Sequence, residues 1–153
     1  MTNNKPITSL TLFLVLFIAA FNSQAQDGFT KNPITEGYYA DPTVVKDNGI
    51  YYIYATIDPW GAKELGVLET KDFKTFVRRH INWPTKAACT SPTSGDAMVW
   101  APSVRKCKGK FYMYVAVGSE IWAGVSDHPL GPWKNAKADD SPLVTKKIGR
   151  AHV

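Results

Sequence analysis

DPTVVKDNGIYYIY at residues 41–54 and APSVRKCKGKFYMY at residues 101–114 are two copies of one pattern, sixty positions apart. Pro42/Pro102, Val44/Val104, Lys46/Lys106, Gly49/Gly109, Tyr52/Tyr112 and Tyr54/Tyr114 are identical, and Thr43/Ser103, Tyr51/Phe111 and Ile53/Met113 are near-equivalents. Nine matches in fourteen positions, all in one register, are too many for two unrelated hairpins. The β-branched and aromatic run Ile50 to Ile57 follows the turn signal Asp47-Asn48-Gly49, which reads as strand, turn, strand.

Outward from these copies the pattern continues. Each reaches a third strand candidate, Leu65-Gly66-Val67 in the first and Ala123-Gly124-Val125 in the second. Each then ends in an aromatic-bearing turn, Phe73 to Phe76 and Leu130 to Trp133. Asp58-Pro59-Trp60-Gly61 and Lys71-Asp72 supply further turns, and no helical period is sustained after residue 25. The chain reads as all-β. A multi-strand unit recurring every fifty to sixty residues is how the blades of a β-propeller look in sequence. Two blades are expected here, whereas closed propellers have roughly 4–8. An open two-blade stack leaves an apolar face without a partner.

The flanks read differently. Residues 1–25 have the layout of a cleavable export signal: Lys5, then the apolar run Leu12 to Phe21, then Ser23-Gln24-Ala25, with cleavage expected near Ala25. The run is short for a membrane span, which needs about 20 apolar residues. The mature protein is therefore expected to be periplasmic or secreted, with no membrane association after cleavage. Residues 26–147 are expected to form the propeller part. The last six residues, Ile148 to Val153 (IGRAHV), are what ATC GGA AGA GCA CAC GTC encodes, the opening of a common sequencing adapter. Residues 148–153 are therefore expected to be adapter read-through, and His152 to carry no function.

Of 153 residues, 44% are hydrophobic and 12% aromatic, enough to fill a core. The formal charge of +5 falls to +4 once Lys5 leaves with the signal, and the basic residues are scattered apart from pairs such as Arg78-Arg79 and Lys146-Lys147. That pattern, with export, argues against a nucleic-acid partner. Cys89 and Cys107 survive export, and an oxidising compartment permits a bridge between them. Two cysteines without a neighbouring histidine pair make no zinc site, and His80 and His128 have no partner at metal-binding spacing.

YADPTVVKDNGIYYIY, then VWAPSVRKCKGKFYMY, then DHPLGPW resemble glycoside hydrolase family 43 over essentially all of Asn32 to Val144. The resemblance implies a five-bladed propeller when complete, acting on xylan, arabinan or arabinoxylan as a β-xylosidase or an α-L-arabinofuranosidase/arabinanase. It also implies that Asp41 faces the central channel as general base. Independently, an inverting glycosidase needs an ionised carboxylate that activates water opposite the leaving group. The repeat bears on this, because the position equivalent to Asp41 is Ala101 and the blade itself requires no carboxylate there.

Trp100 falls where the resemblance places an aromatic in the floor of the site, its indole face suited to the C–H side of a sugar ring. Tyr39, Trp60 and Trp122 are weaker candidates for the same contact. Asp58 and Asp127 read as turn residues, and nothing directs Asp96 or Glu120, which could lie near the channel mouth. The family's other two catalytic carboxylates, an orienting Asp and an acid Glu, would lie beyond Lys147, so this stretch alone is expected to be inactive. The resemblance allows a channel Ca²⁺ in the longer protein, held through a late-blade histidine, but implies no cofactor in this stretch. Two alternatives remain. An invertase-type propeller cleaves fructosides, but its Asn-Asp-Pro-Asn-Gly motif is poorly matched by Ala40-Asp41-Pro42-Thr43-Val44. A non-catalytic propeller would only bind glycan.

Overall fold

The computed structural model describes residues 33–145, which lie within one compact unit, Asn32–Val153. The expected export signal at 1–25 and the expected read-through at 148–153 lie outside the described residues. Among the described residues every regular element is a strand: β1 (Ala40–Asp47), β2 (Ile50–Thr56), β3 (Gly66–Thr70), β4 (Val77–Arg79), β5 (Val99–Cys107), β6 (Lys110–Val117), β7 (Glu120–Ser126) and β8 (Lys134–Asn135). They form two four-stranded antiparallel sheets, ordered β1-β2-β3-β4 and β5-β6-β7-β8. Each sheet is a meander, the build of a propeller blade.

The repeat is reproduced at the level of hydrogen-bond register. Thr43 lies opposite Tyr54 and Ser103 opposite Tyr114; Asp47 lies opposite Ile50 and Cys107 opposite Lys110. Both tight turns use two residues at positive φ, Asn48 (46°) with Gly49 (80°) and Lys108 (47°) with Gly109 (79°). That pair of conformations twists a hairpin in the direction its strands already twist, which is why Asn-Gly suits the first turn. Lys108 adopts the same φ without the side chain that normally tolerates it.

Two features depart from the sequence reading. Each sheet has a fourth strand, where the sequence suggests only three followed by an aromatic turn. β4 spans three residues, all exposed, and β8 spans two, too short for an alternating apolar signal. The two glycine tripeptides are also not structural equivalents. Gly66 lies opposite Ala55, whose repeat mate Val115 lies opposite Trp122; Gly124 lies opposite Met113. The offset is two residues, so both glycines stay on the same face of their sheets.

The core lies between the sheets. Tyr52, Tyr54 and Val67 from the first pack in one cluster with Val104, Phe111, Met113, Val115 and Val117 from the second. On β6 burial alternates, with Phe111, Met113, Val115 and Val117 turned inward and Lys110, Tyr112, Tyr114 and Ala116 outward. Tyr54 crosses the interface to donate its hydroxyl proton to the Pro129 carbonyl at 2.7 Å. Burial raises the Tyr54 phenol pKa well above its ordinary range, and neighbouring Tyr52 adds to the effect.

The segment joining the sheets locks them together. The Trp83 ring lies flat over Gly124, where a β-carbon would come within 2.1 Å of Cζ3. The Asn82 side chain accepts from the Trp133 N–H and donates to the Trp133 carbonyl, both at 2.8 Å.

Cys89 and Cys107 are both free, with Cys89 buried and Cys107 exposed. Cys107 ends β5 at the hairpin end of the second sheet. Cys89 sits in the loop before β5, its N–H donating to the Thr85 carbonyl at 2.9 Å. Burial pushes the Cys89 thiol up to about 12.

Candidate active site

β1 and β5 are the first strands of their sheets, and each begins with a bulge. Pairing slips between Ala40 and Thr43 in β1 and between Trp100 and Ser103 in β5. The extra residue in each bulge is left-handed, Asp41 at φ 49° and Ala101 at φ 50°. A bulge re-aims the side chain it carries. Asp is among the few L-residues that visit this region readily, so the backbone alone favours Asp at position 41 over most alternatives. Ala101 nevertheless holds the same conformation with no carboxylate. Backbone geometry therefore does not account for the acid.

Thr56 ties the two bulges together. It lies opposite Ala40 at the end of β2, is buried, and its Oγ1 accepts the Ala101 N–H at 2.8 Å. Nearer the hairpin end, Thr43 Oγ1 on β1 accepts the Val104 N–H at 3.2 Å. Both bonds give a β5 backbone donor a partner it would otherwise lack. Sequence reasoning missed these hydroxyls, because a threonine in a strand carries no mark of what lies across the interface.

Trp100 precedes Ala101 in the second bulge, opposite Ala116, and is 38% exposed. The loop 57–65 brings a second tryptophan to this end. Asp58 Oδ1 accepts the Trp60 N–H at 2.9 Å and the Asp58 carbonyl accepts the Gly61 N–H at 3.0 Å, closing a tight turn. Gly61, at φ 84°, passes so close to β5 that a β-carbon there would meet Met98 Cβ at 3.0 Å. Reciprocal bonds between Ala62 and Val99, at 3.2 and 2.9 Å, then fasten the loop to the residue before Trp100. The turn presents Trp60 with 91% of its surface exposed. Asp41, Trp60 and Trp100 thus lie on loops and bulges at the same end of the two sheets, opposite the tight hairpins.

The other sequence candidates have structural duties. Trp122 is fully buried and donates its indole N–H to Glu120 Oε2 at 3.0 Å. Glu120 is itself fully buried and also accepts from the Ser91 hydroxyl, pinning the loop before β5. It lies in the interior rather than at a channel mouth, and is held by neutral donors. Asp58 is spent on its turn. Asp127 pairs with Lys110 at 2.6 Å at the hairpin end, which raises the Lys110 pKa. His80 lies 3.3 Å from Glu64, and the His128 ring meets Tyr52 edge-on. Tyr39 is half-buried beside Gly66. A cleft of about 420 Å³ follows β1 and β5 past Thr43, Lys46, Ser103 and Arg105, but includes neither Asp41 nor Trp100.

Among the described residues no group of three or more His, Cys, Asp or Glu side chains is placed to hold a metal ion. Among these residues the calcium that the resemblance allows in the longer protein has no ligand set.

Comparisons with known proteins agree with this picture. The model of glycosyl hydrolases family 43 matches residues 30–144. A xylosidase/arabinosidase of Butyrivibrio fibrisolvens is 30% identical over 67% of this chain and 20% of its own length. An arabinoxylan arabinofuranohydrolase of Bacillus subtilis is 29% identical over 74% of this chain and 26% of its own length. A solved β-xylosidase/α-arabinofuranosidase from a compost metagenome superposes with a TM-score of 0.57 at 22% identity, over 71% of this chain and 37% of its own. Such likeness shows the fold, and the two sheets are successive blades of a propeller. The chain spans about a quarter or less of the length of these two curated relatives.

Proposed function

The chain belongs to glycosyl hydrolases family 43, and from that premise we propose that it is the N-terminal part of an exported, inverting hydrolase of pentose-containing plant polysaccharides. Xylan, arabinan and arabinoxylan are the substrate classes, in keeping with relatives named as xylosidase/arabinosidase, arabinoxylan arabinofuranohydrolase and probable arabinan endo-1,5-α-L-arabinosidase. Export rests on the apolar leader that ends near Ala25.

Asp41 is the general base. The observation that carries this is the contrast between the bulges: one backbone conformation in both blades, with a carboxylate only in the first. In the inverting reaction the Asp41 carboxylate takes a proton from a water molecule as its oxygen attacks the anomeric carbon. The glycosidic C–O bond breaks on the opposite face, and a carboxylic acid protonates the departing oxygen. That acid must stand roughly 6.5–9.5 Å from the base to leave room for the water. We assign it, with the orienting Asp, to sequence beyond this stretch, so residues 33–145 alone do not turn over substrate. Trp100 stacks on the sugar ring at the cleaved bond, and the exposed face of Trp60 extends the aromatic surface along the same rim.

The test is Asp41→Asn in the full-length protein, assayed on xylan, arabinan and arabinoxylan with the anomer of the first product followed by NMR. The expected result is a fall in kcat of about 10²–10⁴-fold with the fold intact, and an inverted product from the parent. Activity within tenfold of the parent would remove Asp41 from the base role, and a retained anomer would remove the inverting mechanism. Glycan binding without turnover of any of the three would favour a binding module.

A further inference from the structure

Trp100 is held from both sides. Val99, the residue before it, exchanges backbone bonds with Ala62 at 2.9 and 3.2 Å. Ala101, the residue after it, donates its N–H to Thr56 Oγ1 at 2.8 Å. Thr56 ends β2 and Ala62 lies in the loop that follows, so both fastenings come from the first blade. The Ala62 fastening runs from backbone to backbone and asks little of residue type. The Thr56 fastening is made by a side chain, and it is lost with any residue that offers no acceptor there.

Thr56 also adjoins the base. On β2 it is paired with Ala40, the chain neighbour of Asp41, where the first bulge begins. One residue therefore meets both bulges, the first through strand pairing and the second through its hydroxyl. Thr56 is buried, so little water reaches that hydroxyl to compete for it. The repeat singles out this hydroxyl as it singles out the Asp41 carboxylate. Sixty positions on, the counterpart of Thr56 is Ala116, which is paired with Trp100 as Thr56 is with Ala40. A blade thus forms its bulge with no hydroxyl opposite it. Carboxylate and hydroxyl stand together in the first blade, and both are alanine in the second.

We propose that Thr56 is a positioning residue for the reaction assigned to Asp41, on which this inference rests, and that it sets the spacing between the base and the Trp100 platform. The Asp41 carboxylate must hold a water molecule in line with the anomeric carbon of a sugar lying on Trp100. Base and platform stand on different sheets, so their spacing depends on what crosses between the sheets. In-line attack tolerates little error, since a misplacement of about 1 Å costs roughly 10²-fold in rate. The slip between Trp100 and Ser103 takes Ala101 out of the pairing with β6. Without the Thr56 hydroxyl its N–H must turn to another acceptor, and Trp100 moves with it.

Steady-state kinetics of the full-length protein test this, with Thr56→Val keeping the side-chain shape and removing the hydroxyl. The expected result is a fall in kcat of about tenfold or more with KM within about threefold, because Trp100 still offers its face to the sugar. Thr56→Ser keeps the hydroxyl and is expected to hold kcat within about threefold of the parent. Added to Asp41→Asn, Thr56→Val is expected to cost less than about twofold more, since no base remains to be positioned. Tyr54→Phe deletes a bond across the same interface without touching either bulge, and is expected to lower stability while leaving kcat unchanged. If Thr56→Val kept kcat within about threefold while Asp41→Asn lost about 10²-fold or more, the inference would be overturned and the role of Asp41 would stand. Full additivity of the two substitutions overturns it as well. An Asp41→Asn protein as active as the parent overturns the Asp41 assignment, and this inference with it. Should Thr56→Val not fold, Thr56→Ala and Thr56→Ser decide. A kcat about tenfold or more lower in the alanine variant supports the inference, and equal values overturn it.

Discussion

Replacing Ala101 with glycine is expected to make the protein more stable, against the usual effect of putting glycine in a strand. Ala101 sits in the β5 bulge at φ 50°. An L-residue there pays roughly 1–2 kcal/mol for the approach of its β-carbon to the following carbonyl. Glycine removes that cost but loses about 0.5–1 kcal/mol more backbone entropy on folding. The difference is a net gain of about 0.5–1 kcal/mol, or roughly 2–6 °C in melting temperature for a domain of this size. The bond from the Ala101 N–H to Thr56 Oγ1 at 2.8 Å is a backbone bond and survives the change. Thermal and urea unfolding, followed by tryptophan fluorescence, measure the effect. Ala116→Gly is the control, since Ala116 lies opposite Trp100 in regular β6, outside the bulge. It is expected to lose about 0.5–1 kcal/mol. If Ala101→Gly destabilised as much as Ala116→Gly, the left-handed bulge would be refuted, and with it the backbone equivalence of Ala101 and Asp41. The same reasoning selects the variant for activity work. Asp41→Ala would add left-handed strain to the loss of the carboxylate, whereas Asn tolerates that conformation.

Three further outcomes follow from the packing. Gly124→Ala puts a methyl group 2.1 Å from the Trp83 ring, so it is expected to cost about 1–3 kcal/mol or more and to shift the tryptophan emission. Tyr54→Phe deletes the bond to the Pro129 carbonyl, which still accepts the Trp133 indole N–H at 3.0 Å. No acceptor is left bare, and a loss of about 0.5–1.5 kcal/mol in urea unfolding is expected. The Cys89 thiol has its pKa raised by burial from 9.0 to about 12, so its contribution to stability is intact below pH 9 and declines as pH rises toward 12. The decline is about 1.4 kcal/mol per pH unit, and Cys89→Ala is expected to flatten that part of the stability–pH curve.

Much of the fold could be read from the chain because it is written in local chemistry repeated in register. Asn48-Gly49 marks a hairpin because glycine and asparagine tolerate positive φ, and the alternation through Phe111, Met113, Val115 and Val117 marks a half-buried strand. β4 and β8 escaped because two or three residues at the edge of a sheet carry no periodicity. The glycine tripeptides misaligned because sequence spacing counts loop residues, whereas strand pairing does not.

By itself the sequence determined the all-β repeat, the family resemblance and the singling out of Asp41, since each depends on which residues recur and which one breaks the recurrence. Only the tertiary structure decided what lies across an interface. It placed Thr56 under the Ala101 bulge, turned Trp60 outward and Trp122 inward, and buried Glu120 away from any site. It also covered Tyr54 and left its twin Tyr114 bare. The two tyrosines hold equivalent places in the repeat and in the pairing of its first two strands. What separates them is the neighbouring sheet, and no stretch of chain records its own neighbour.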